Sequence, residues 1–112
     1  MIAPDDPYRP VPQTVYWVRT DVLPAADPET YRVAVVLACP ATPAGTVPVV
    51  TRSASDPFGV AHGPDRRLGL TSEGRFSRRL PVPALLWSPA TAAPLGRLDD
   101  ATFAAVTARF GA

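Results

Sequence analysis

Lysine is absent: all 11 basic residues are arginine. Every cation the chain can offer is a planar fork suited to carboxylate or phosphate, rather than a compact point charge. Against 10 acids the formal net charge is only +1, which argues neither for nor against a nucleic-acid partner. Cysteine occurs once, as Cys39. A single thiol excludes an internal disulfide and a thiolate metal cluster. Between Ala38 and Pro40, at the end of an apolar run, it reads as a small buried residue rather than a nucleophile. Histidine also occurs once, as His62 in Gly59-Val60-Ala61-His62-Gly63-Pro64. One imidazole among scattered acids shows no metal-ligand spacing, so neither a metal nor a cofactor is expected. A Ser-His-Asp set from Ser72, His62 and Asp65 is formally available, but no serine sits in a nucleophile elbow; His62 reads as a surface histidine. Long hydrophobic runs are missing too. The longest, residues 33–44, is too short and too proline-broken to cross a bilayer, so no membrane partner is expected. Residues 1–7 carry acids and prolines where a secretory signal has a basic end and an apolar core, so a cytoplasmic protein is expected.

What is present is a globular composition, 46% hydrophobic with 15 prolines. The length fits one domain, residues 1–112, with a single modest core. Residues 1–13 hold four prolines and few core candidates, which predicts a flexible arm. Residues 14–20, Thr-Val-Tyr-Trp-Val-Arg-Thr, are β-branched and aromatic and predict a first strand. A long loop carrying Asp27 and Glu29 follows, and loops of this length in compact domains often carry function. Residues 31–39 and 46–55 are apolar, β-branched runs around a Pro/Gly break and read as two buried strands. Pro48 inside the second implies an edge position or a bulge. Residues 56–65 read as an exposed loop, 66–79 as a basic hairpin turning at Glu73-Gly74, 80–87 as a strand broken by Pro81 and Pro83, and 88–94 as a linker. The clearest helix is residues 100–110. Asp99 is its N-cap, Leu98 and Phe103 stand at staple spacing, Phe103, Val106 and Phe110 share a face, and Gly111 stops it. The sum is a mainly β protein, a small barrel with a C-terminal α-helix across it.

The order of these pieces resembles the MazF/PemK-type ribonuclease toxins of bacterial toxin–antitoxin systems. Val15-Tyr16-Trp17-Val18 is similar to that family's first strand. Tyr31-Arg32-Val33-Ala34-Val35-Val36-Leu37 is similar to its Arg-Pro-plus-apolar second strand, with Val33 in place of the proline. Residues 46–55 resemble the third, which ends in a hydroxyl pair. Residues 94–103, Pro-Leu-Gly-Arg-Leu-Asp-Asp-Ala-Thr-Phe, match the approach to the last helix. Gln13-Thr14 stands where the family has Gly-Asp, and residues 87–92 lack its polar, arginine-containing run. The resemblance implies an SH3-like barrel and metal-independent endonucleolytic cleavage of single-stranded RNA. It also implies a homodimer and a cognate antitoxin covering the RNA-binding face.

Cleavage of RNA without a metal requires the 2′-hydroxyl to lose its proton, the phosphorane-like transition state to be neutralised and the leaving oxygen to be protonated. Arg32, carried over from the family's catalytic arginine, suits the second task as a fixed cation and donor. Ser53 or Ser55, the two possible counterparts of the family's threonine, can donate to a phosphate oxygen. Arg52, bracketed by Thr51 and Ser53, is placed to share the phosphate. Arg66, Arg67, Arg75, Arg78 and Arg79 fall close together in sequence; Arg78 and Arg79 are expected to line an RNA groove. Trp17, if it is the outward member of the Tyr16-Trp17 pair, can stack on a base. The alternative to the enzyme is a non-catalytic barrel of the same fold that binds protein or nucleic acid.

Overall fold

The computed structural model describes residues 8–42 and 44–111. The chain forms β1 (Thr14–Arg19), β2 (Tyr31–Val36), β3 (Thr46–Ser53), β4 (Val60–His62), β5 (Gly74–Pro83), β6 (Ala92–Arg97) and the helix α1 (Asp100–Phe110). The six strands make one antiparallel sheet in the order β4-β5-β3-β2-β1-β6, curled into a half-barrel. The expected mainly β architecture with one C-terminal helix is therefore what the chain adopts. A Cα radius of gyration of 13.0 Å is that of one folded domain of this length, about 13 Å.

Both faces of the sheet are covered, which is why its central strands read as unbroken apolar runs rather than as alternating ones. On one face Tyr16, Val18, Ala34, Val36, Val47, Val49 and Val82 pack under Leu23, Ala84 and Trp87. On the other, Val15, Val33, Val35, Val50 and Phe76 pack under Leu68, Leu70, Leu98 and Val106. Successive residues of β2 serve opposite cores, as a period of two requires. The helix begins as its sequence indicates: Asp99 Oδ2 accepts from Thr102 N at 2.9 Å and from Thr102 Oγ1 at 2.8 Å. Leu98, Phe103, Val106 and Phe110 join one cluster.

Four local expectations are corrected. The segment 56–65 is not all loop, because Val60–His62 pairs with β5 as the sheet's edge strand β4. Gly59 makes this possible with φ +115°; a Cβ there would lie 2.4 Å from the Phe76 carbonyl oxygen, where β5 bulges past the Thr51/Arg52 register shift. The basic hairpin does not form. Residues 66–68 make a 3-10 turn closed by paired Asp65 and Leu70 backbone bonds of 2.9 Å, and β5 then runs unbroken from Gly74 through both Pro81 and Pro83. The linker at 88–94 instead leads into β6, whose Ala92 and Pro94 pair with Val18 and Tyr16; Pro94 is tolerated because β6 is an edge strand. Pro48 lies in the central strand β3. Its carbonyl accepts from Leu37 N at 2.9 Å, just beyond the last β2–β3 pair, Val36↔Val49. The missing N–H thus falls where that ladder ends. As for the arm, residues 1–7 lie outside the described residues. From Tyr8 onward the chain is pinned: the Tyr8 hydroxyl donates to the Ala92 carbonyl, and Gln13 N donates to Val36 O at 2.8 Å.

Candidate nucleic-acid interface

Antiparallel pairing of β1 with β2 sets Trp17 across from Val33 and Arg19 across from Tyr31. Trp17 and Tyr31 are then diagonal neighbours on one face, within reach of each other's large rings. The rings stack, with centroids 5.7 Å apart and planes 21° apart. Both remain open to solvent, Trp17 at 43% and Tyr31 at 40% exposure. The Tyr16-Trp17 alternation resolves accordingly: Tyr16 is buried against Trp87 and Trp17 is the outward ring. The aromatic ledge forms one wall of a groove of about 330 Å³. Glu29, Arg32, Val33, Arg52, Ala54 and residues 69–72 line the rest of it.

Arg32 is half-buried, and its fork grips Asp27: Nε donates to Oδ2 at 2.8 Å and Nη2 to Oδ1 at 3.1 Å. The carboxylate is held in turn by Glu29 N at 2.9 Å, a local turn that asparagine and aspartate favour. Arg32's hydrogen bonds draw the Asp27 carboxyl below its ordinary range, and Asp27 raises the Arg32 guanidinium above its own. Arg32 thus spends two of its five N–H groups on Asp27, and three are left for another acceptor. Arg78, exposed on β5, is close enough to help lower the Asp27 carboxyl. It makes no ion pair among the described residues.

The other sequence-derived candidates fall in several places. Thr51 is buried, and its hydroxyl donates to the Arg78 carbonyl at 3.4 Å. Ser53 and Ser55 flank Ala54 at the end of β3, with hydroxyl oxygens 3.3 Å apart, and Ser55 N donates to Ser53 Oγ at 3.2 Å. The β2–β3 ladder ends at Ala34↔Thr51. By alternation Arg32 and Ser53 belong to the Ala34 and Thr51 face, opposite that of Trp17 and Tyr31. Arg32 meets the ledge only as part of the groove lining. Ser55 lies beyond β3, in the turn that follows. Arg79 is apart from the groove, in a separate hollow with Thr46, Pro48, Leu80 and Pro81.

Arg52 reaches the groove but is 8% exposed, and its donors point inward. Nε donates to His62 Nδ1 at 3.0 Å, while Nη2 donates to the carbonyls of His62 at 3.0 Å and Ser72 at 2.7 Å. Gly74 lets it fit: a Cβ there would lie 2.7 Å from Arg52 Nη1. The expectation of a surface histidine is therefore corrected, for His62 is 6% exposed, between Arg52 and Asp65. An always-protonated Nε–H on Nδ1 leaves the imidazole proton on Nε2, which faces Asp65 Oδ2 at 3.5 Å. Burial, and next the Arg52 charge, push the His62 pKa below its ordinary value. Donor atoms of His62, Asp65 and Asp99 lie within 4.8 Å of one another. As a metal site the set fits poorly, because Nε2 carries the proton and the Arg52 charge stands behind the ring.

Three features of the site lie outside the sequence-derived candidates. Tyr31 was legible, since parity and pairing make it a diagonal neighbour of Trp17. The Asp27–Arg32 pair and the Arg52–His62–Asp65 network join segments whose approach no local pattern announces. No helix among the described residues is long and apolar enough to cross a membrane. Comparisons with protein-family models, with curated proteins and with solved structures gave no match. What fold and groove define is thus a class, a curled antiparallel half-barrel presenting an aromatic ledge beside an arginine.

Proposed function

We propose that this chain is an SH3-like barrel of the MazF/PemK kind that acts on single-stranded RNA in the Trp17–Tyr31–Arg32 groove as a metal-independent endoribonuclease. The observation that carries this reading is a groove lined both by an exposed, pre-stacked aromatic pair and by Arg32. Stacking on aromatic rings holds unpaired bases without demanding a sequence, at about 1–3 kcal/mol per base. Arg32, which lines the same groove and keeps three uncommitted donors, is the cation offered to a phosphate beside such a base. Attack of the 2′-oxygen on phosphorus, with its proton passing to water, and departure of the 5′-oxygen, which takes a proton from water, concentrate charge on the phosphoryl oxygens. Arg32 stabilises that charge, and the Ser53 hydroxyl adds a neutral donor. The same likeness implies a cytoplasmic homodimer and a cognate antitoxin laid over the groove. Leu85 and Leu86, adjacent and about half exposed, are apolar surface that such an assembly would cover.

The second reading is a non-catalytic barrel that binds nucleic acid or protein, favoured by the Asp27 carboxylate already seated in the Arg32 fork. A labelled single-stranded RNA incubated with the protein in EDTA separates the two. The enzyme yields fragments ending in a 2′,3′-cyclic phosphate, and Arg32→Ala lowers the rate by about 10²–10³, the usual cost of one transition-state donor. Retention of bound, uncut RNA establishes the second reading. Cleavage unaffected by Arg32→Ala removes Arg32 from the mechanism.

A further inference from the structure

The groove holds one carboxylate that the fold does not use. Glu29 lies two residues before Tyr31 and lines the same groove as the Trp17–Tyr31 ledge. Its backbone is fixed, because its amide donates to Asp27 Oδ1 at 2.9 Å. Its side chain is exposed and makes no hydrogen bond among the described residues. Arg32 gives two of its donors to Asp27 and lies near enough to feel the Glu29 charge, while Arg52 is taken up by His62 and backbone carbonyls. A lone ionised carboxylate only accepts hydrogen bonds, and it takes two parallel donors best.

We infer that Glu29 reads the base stacked on the Trp17–Tyr31 ledge and selects guanine. The inference rests on the reading that the groove takes single-stranded RNA. Unpaired bases on aromatic platforms are recognised along their Watson–Crick edges. Guanine alone offers two adjacent donors there, N1–H and N2–H, matching the two carboxylate oxygens. Adenine and cytosine place a ring acceptor beside their amino group, and uracil flanks its N3–H with carbonyls. Each sets a lone pair against a Glu29 oxygen. The ledge thus supplies sequence-blind affinity and Glu29 the discrimination.

The test uses fluorescein-labelled oligouridylates with 2′-O-methyl backbones, which cannot be cut by their own 2′-oxygen. Each carries one central guanosine, inosine or adenosine, and binding is followed by anisotropy. Inosine is guanosine without the N2 amino group, so the pair isolates one donor. Guanosine is expected to bind about tenfold tighter than inosine or adenosine, the scale of one well-formed base contact. In Glu29→Gln the guanosine-to-inosine ratio is expected to fall close to one. A ratio is insensitive to the general gain that any phosphate backbone draws from removing a negative charge. Equal binding of all three oligonucleotides by the wild type overturns the guanine assignment while the RNA reading stands. A preference that survives Glu29→Gln overturns the role of Glu29. Absence of binding to every oligonucleotide overturns the RNA reading and this inference together.

Discussion

Replacing Arg52 by methionine asks whether a charged residue in the groove serves RNA or serves the fold. The guanidinium is 8% exposed and donates to His62 Nδ1, the His62 carbonyl and the Ser72 carbonyl at 2.7 to 3.0 Å. Methionine keeps the length of the side chain and removes every donor. Ser72 is exposed, so water can replace the lost partner there. The two His62 acceptors are buried, and each buried acceptor without a partner costs about 1–3 kcal/mol. Loss of one member of a buried charged network points to the same scale, about 3–5 kcal/mol. We expect Arg52→Met to lose about 3 kcal/mol in urea unfolding, which for a chain of this length is a fall in Tm of about 12 °C. Arg52→Lys should recover only part of this, since an ammonium cannot reproduce the fork. A loss under about 1 kcal/mol would refute the reasoning, because the guanidinium would then be effectively solvated. Unchanged stability with weakened RNA binding would make Arg52 a phosphate contact instead.

Three further outcomes are expected. His62 has a folded pKa below its ordinary value of 6.5, because burial and Arg52 disfavour the imidazolium. The unfolded chain takes up this proton first, so stability should decline as pH falls from about 6.5 toward the lowered value, by up to ~1.4 kcal/mol per pH unit. Urea midpoints measured across that window should lose this slope in His62→Gln; a flat wild-type profile would contradict the assignment. Asp27→Asn frees the Arg32 fork and should tighten RNA binding, with a log–log salt slope steeper by about 0.7 if one more phosphate is engaged; unchanged affinity and slope would mean that Arg32 meets no phosphate. Asp99→Ala removes the cap on Thr102 N and should cost about 1 kcal/mol, read as a Tm fall of about 4 °C; no change would show the cap to be replaced by water.

The parts of the fold that local chemistry dictates were legible. β-branched runs marked β1, β2 and β3, and the helix announced itself through Asp99, Leu98, Phe103 and Gly111. β4 and β6 were not legible, because Val-Ala-His and Ala-Ala-Pro-Leu-Gly-Arg carry little strand propensity. They are strands because β5 and β1 offer free edges, and tertiary pairing overrides weak preference. The site divides in the same way. Trp17 beside Tyr31 followed from pairing two adjacent strands. The inward turn of Arg52 follows the alternation that also buries Val50, but its bond to His62 joins two strands whose approach no local pattern announces. Arg78 and Arg79 looked equivalent in sequence, yet successive strand residues face opposite ways. Arg78 turns toward Asp27, while Arg79 lines another hollow.

The central claim is that single-stranded RNA lies on the Trp17–Tyr31 ledge. The chain has two tryptophans, one 43% exposed and one, Trp87, 4% exposed. Two indole N–H resonances in a nitrogen-15 correlation spectrum therefore report the groove and the core separately. Titration with a 2′-O-methyl single-stranded oligonucleotide should shift or broaden the Trp17 indole while leaving Trp87 in place, and Trp17→Ala should weaken binding by the worth of about one stacked base, ~1–3 kcal/mol. An oligonucleotide that binds without moving the Trp17 indole, or that binds Trp17→Ala as tightly as the wild type, would contradict the account.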